Sequence, residues 1–166
     1  MDDNTTYYKD PPKLLYELMQ DTLGDEYTYF LGSPTMLGKD AYPCVVVQTL
    51  KANNTAQDAP TGHDNVSEQI AIFVMILENS AAASQVNEDT IQRKLYNVIQ
   101  GRDPATGFYM TGTVLNALRK NITLGGAILD QDLDIDYDID RRAENDVMVG
   151  SVTLTLSERV QVPERF

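Results

Sequence analysis

Between Asp130 and Asp140 the chain reads Asp-Gln-Asp-Leu-Asp-Ile-Asp-Tyr-Asp-Ile-Asp, with apolar and acidic residues in alternation. Successive side chains of an extended strand point to opposite faces, so this pattern describes a strand with one buried face and one acidic face. Leu133, Ile135, Tyr137 and Ile139 share the first; Asp132, Asp134, Asp136, Asp138 and Asp140 share the second. Aspartate is a poor strand former, so the segment extends only if a sheet partner or a core holds its apolar side. A partner follows at once. After the polar turn at 141–146, residues 147–162 are rich in Val, Thr and Leu, with Val152, Leu154 and Leu156 on one face and Thr153, Thr155 and Ser157 on the other. The chain is therefore expected to end in a long β-hairpin with one acidic side.

The rest of the chain supplies what that hairpin packs on. Residues 1–10 form a polar, flexible arm. Asp10-Pro11-Pro12 provides a cap and a proline start for a helix with Leu14, Leu15, Leu18 and Met19 on one stripe, stopped by Gly24. Strands are expected at 27–31, 43–50 and 68–77. The last of these is apolar on both faces and is the candidate central strand. Residues 51–65 are polar and turn-rich and read as a mobile hairpin loop, with Asn53, Asn54, Gln57, Asp58, His63 and Asp64 as candidate partner contacts. Helical spacing returns at 84–100, with Asn87 as cap, and again from about 108 to 121. Residues 11–166 are thus expected to form a single α+β domain, a mainly antiparallel sheet with helices packed on one face.

Composition removes several kinds of chemistry. A formal charge of -12 opposes general attraction to nucleic-acid phosphate or anionic lipid. No apolar run is long enough for a membrane span, and the acidic start lacks the basic head of a signal peptide, so a soluble, intracellular chain is expected. The single cysteine, Cys44, lies in an apolar run and reads as a core residue; the single histidine, His63, lies in the polar 51–65 segment. A Ser-His-Asp or Cys-His site would therefore depend on a mobile base, and a zinc shell lacks its ligands. The start Asp130-x-Asp132-x-Asp134 matches the first ligands of a calcium loop, but Ile135 stands where the turn glycine belongs and Arg141 where the bidentate glutamate belongs. The acidic face is open to three readings: a solvated or passage-lining surface, loose cation binding, or catalytic carboxylates. Arg93, Lys94, Arg102, Arg119 and Lys120 gather on and between the two middle helices, either as a solvated face or as the counterpart of an acidic neighbour.

Taken together, several segments resemble the tail terminator, or tail completion, proteins of long-tailed bacteriophages and the related neck proteins. They are the opening helix Lys13-Leu14-Leu15-Tyr16-Glu17-Leu18, the strands Tyr42-Pro43-Cys44-Val45-Val46-Val47 and Gln69-Ile70-Ala71-Ile72-Phe73-Val74, the two middle helices, and the closing strand Gly150-Ser151-Val152-Thr153-Leu154-Thr155-Leu156. The resemblance implies a structural virion subunit without catalytic residues, metal or cofactor. Such a subunit forms a ring, hexameric in that family, that caps the head-proximal end of the tail tube and meets the neck or head connector, with DNA passing through. Asp132, Asp134, Asp136, Asp138 and Asp140 would then line the passage, where negative charge discourages phosphate from sticking. A head-side connector or stopper is the nearest alternative. A cation-binding enzyme built on the aspartate strand is the alternative of another class.

Overall fold

The computed structural model describes residues 10–56, 63–77, 85–141 and 146–161. Its elements are helix α1 (Pro11–Leu23), strands β1 (Thr28–Leu31), β2 (Cys44–Ala56) and β3 (His63–Leu77), helices α2 (Gln85–Gln100) and α3 (Val114–Lys120), and strands β4 (Asp130–Arg141) and β5 (Asp146–Gln161). The strands form one sheet in the order β1-β2-β3-β5-β4. Only the short β1–β2 pairing is parallel; β2–β3, β3–β5 and β4–β5 are antiparallel. This is the expected α+β domain, with β3 at the centre and the terminal hairpin in place. No helix among the described residues is long and apolar enough to cross a membrane.

Alternation decides which face of the sheet the helices cover. Val45 and Val47 of β2, Ile70, Ile72, Val74 and Ile76 of β3, and Val152, Leu154 and Leu156 of β5 are all buried, together with Leu15 and Met19 of α1, Leu95 and Ile99 of α2, and Leu115 and Leu118 of α3. Leu133, Ile135, Tyr137 and Ile139 of β4 pack against this core as half-buried residues. Gly150 of β5 faces α2 at close range: a Cβ there would overlap Ile99 Cδ1 and stand 3.2 Å from Leu95 Cγ. The helix α1 starts as the sequence suggests, with Asp10 Oδ1 accepting from the Lys13 amide at 3.3 Å and prolines in the first turn.

Three boundaries differ from expectation, each for a local reason. Most of the supposed 51–65 loop is strand, since β2 runs on to Ala56 and β3 begins at His63, paired from Lys51↔Gln69 to Ala56↔Asp64. The backbone ladder continues there although Ala52, Asn53, Asn54 and Thr55 are exposed. Helix α2 begins at Gln85 and runs through Asn87, which is therefore not its cap. Helix α3 starts at Val114 rather than near 108. Gly107 and Gly112 adopt φ of 74° and 86°, a region that breaks a helix, and the Thr113 hydroxyl caps the start by accepting from the Asn116 amide at 3.2 Å. Residues 101–110 instead close a tight hairpin, with Asp103 N–H donating to Phe108 O at 2.8 Å and Met110 N–H to Gly101 O at 2.9 Å.

Candidate functional site

Strand β4 is the outer strand of the sheet, so one of its edges has no neighbour among the described strands. Asp132, Asp134, Asp136 and Asp138 are exposed in a row along it, and the backbone of Asp140 continues the strand opposite Val147. Their partners on β5 are Thr155, Thr153, Ser151 and Val149, none of them charged. Across the next strand the row is continued by Ala71, Phe73 and Met75 of β3, so the acidic edge borders a partly apolar stretch of sheet. Same-face residues of a strand stand about 6–7 Å apart, too far for several carboxylates to close on one ion. Among the described residues no three His, Cys, Asp or Glu side chains converge as a metal shell.

The candidate partner-contact residues divide between two strands. Asn53 and Asn54 are exposed on β2, while His63 and Asp64 lie on β3, with Asp64 opposite Ala56 and Val160. Gln57 and Asp58 lie outside the described residues, as does the arm at 1–9. Cys44 is fully buried, and burial pushes its thiol up to about 11, so it stays protonated and is a core group rather than a nucleophile.

A broad, open concavity lies on the helix side of the sheet. Arg93, Lys94, Asn97 and Val98 of α2 and Arg102, Pro104, Met110, Thr111, Gly112 and Thr113 of the following segment line a cleft of about 1060 Å³. Three of the basic residues noted in the sequence thus meet in one place. The Arg93 guanidinium lies over the Tyr96 ring at 5.5 Å and that of Arg102 over Tyr109 at 6.0 Å, so aromatic faces orient both charges. Of its apolar lining Met110 is 50% exposed, and Phe108, two residues earlier in the chain, is 75% exposed. Periodicity concealed this segment, because Phe108, Tyr109 and Met110 read as the first turn of an amphipathic helix.

Two buried polar features also went unread. Gln131, 2% exposed, directs its Nε2 to the carbonyls of Leu118, Asn121 and Ile122 at 3.4, 3.2 and 2.8 Å; the first two also accept from the backbone amides of Asn121 and Leu124, so the Ile122 carbonyl, at the shortest distance, is the one this side chain chiefly serves. Gln131→Leu should cost about 1–3 kcal/mol by stranding the Ile122 carbonyl. A urea melt showing a loss under about 0.5 kcal/mol would mean that this carbonyl finds a donor elsewhere. Nearby, Glu158 of β5 is 7% exposed and hydrogen-bonds Glu68 of β3, whose Oε2 is buried without a partner. Burial, the Glu68 charge and hydrogen bond, and the Asp10 charge together push the Glu158 carboxyl up to about 7. No sequence period signals either feature, since each depends on which strands become neighbours.

No known family model matches the chain, and no curated protein matches it significantly.

Proposed function

We propose that the chain is a structural ring subunit, a tail terminator that caps the head-proximal end of a long-tailed phage tail tube and joins it to the neck. The observation that carries this reading is the order of elements: α1, β2, β3, α2, α3 and the β4–β5 hairpin follow one another on the segments that carry the resemblance. Fold alone hosts many functions, so the surfaces matter more. Their character supports a structural role. The exposed features are an acidic edge strand and a cationic cleft with a partly apolar lining, and both suit docking of another macromolecule. The partners in this reading are further copies of the chain, the tail tube protein and the neck or head connector, with DNA passing through the ring.

Electron microscopy of the purified protein, alone and mixed with tail tubes, tests the reading. Rings seated on one end of the tubes are expected. Tube ends that remain bare at saturating protein would refute it, and rings seated on the head connector instead would move the subunit to the head side of the neck.

A further inference from the structure

We propose that the cleft between α2 and the 102–113 segment receives the acidic β4 face of a second copy of this chain. The proposal rests on the ring reading above and names the contact between its subunits. Four exposed carboxylates, Asp132, Asp134, Asp136 and Asp138, stand in a row on one strand, and beside them lie the half-buried Phe73, Met75 and Val149. The cleft presents Arg93, Lys94 and Arg102 together with Val98 and the half-exposed Met110. Each surface thus joins apolar area to a set of charges, and the signs are opposite. Charge complementarity of this kind sets register and excludes wrong partners. Guanidinium groups held over tyrosine rings are already oriented for carboxylates, which lowers the ordering cost of the contact. Of the described bases on this face, Arg159 stands two residues past Ser157, the partner of Asp130, beyond the end of the row, and Lys51 lies on β2 in the register of Asp132 with β3 and β5 between them.

One subunit cannot satisfy both surfaces itself. Tyr137 accepts a hydrogen bond from Gln100 Nε2 of α2 at 2.8 Å, so the Tyr137 side of β4 faces the helices, and alternation turns Asp136 and Asp138 to the opposite side of the sheet. A contact between two unlike patches is head to tail. Repeated from copy to copy it closes into a ring or continues as a filament. The net charge of -12 makes copies repel at long range, so a local cluster of cations is what such an approach requires. In this arrangement the aspartates lie between subunits, in the wall of the ring rather than along its passage.

Charge reversal of each surface, separately and together, provides the test. Arg93→Glu/Arg102→Glu and Asp134→Lys/Asp136→Lys are each expected to weaken self-association about tenfold or more, read by native mass spectrometry and by ring counts on tail tubes. An equimolar mixture of the two variants should recover assembly, because each reversed surface meets a reversed partner, and raising the salt should weaken the wild-type contact. Far-UV circular dichroism confirms that the variants fold, and Lys94→Glu supplies a milder reversal if they do not. Wild-type assembly by both reversals, or single losses that the mixture fails to restore, would overturn this interface and leave the ring reading standing. A wild-type chain that stays monomeric both free and on tubes would overturn the ring reading, and the contact with it.

Discussion

Gly150→Val should be the most damaging single substitution on the sheet, lowering stability by about 3 kcal/mol, the upper part of the range for overpacking a full core. Gly150 pairs with Val74 on one side and Tyr137 on the other, where Leu95 and Ile99 of α2 lie close over the backbone of β5. A single methyl would meet Ile99 Cδ1, the tip of a side chain that can rotate aside, so Gly150→Ala should cost about 1 kcal/mol or less, offset in part by the strand preference of alanine over glycine. Valine adds two branches that reach Leu95 as well, and α2 must lift. For a chain of this length 3 kcal/mol corresponds to a fall of roughly 6–12 °C in Tm. The cause can be separated from the cost: Ile99→Ala opens space where the valine intrudes, so the double variant should lose less than the sum of the single losses. Strict additivity would show that the damage comes from the strand and not from its contact with the helix.

Glu158→Gln should do the reverse, increasingly so as the pH rises from about 4.5 through 7. The Glu158 carboxyl is raised to about 7 from an ordinary 4.5, so the folded protein holds a proton that the unfolded chain releases. Its contribution to stability is therefore complete below about pH 4.5, declines as the pH rises toward 7, and is absent above that. Above pH 7 the fold must carry a second charge beside Glu68, with Asp10 also near. Glutamine keeps the shape and can still donate to Glu68, but it cannot ionise. Relative to wild type it should gain roughly 2 kcal/mol at pH 8 and nothing at pH 4.5. Denaturant titrations at the two pH values read the difference directly. An equal effect at both would mean that folding does not raise the Glu158 carboxyl.

Where a strand buries one face, its sequence announced it. Leu133, Ile135, Tyr137 and Ile139 alternate with aspartates because one side meets the core and the other meets water, and β3 was recognisable because both its faces are apolar. The signal fails where a strand buries neither face. Asn53, Asn54 and Thr55 are held in β2 by backbone pairing alone, which any composition can make, so polarity was mistaken for a loop. It fails again at Phe108, Tyr109 and Met110, where apolar residues at helical spacing are held instead by the turn at Gly107 and the cap at Thr113. Of the candidate site, the charges were legible and their convergence was not. Arg93, Lys94 and Arg102 are close in sequence, but the hairpin at 101–110 is what brings them around one cleft.

The uncovered ends of β2, β3 and β5 have a further consequence. Beyond Val66 these strands continue as a ribbon, with Asp64 between Ala56 and Val160, while β4 has already ended opposite Ser157. A ribbon whose described side chains are exposed or half-buried is a ruler whose length can be changed at little cost to the fold. Inserting two residues into each strand would lengthen it by about 7 Å and leave every side chain on its original face. Inserting one would exchange the two faces from the insertion to the ends of the strands at Ala56 and His63. Related chains that must span different gaps should therefore differ here in steps of two.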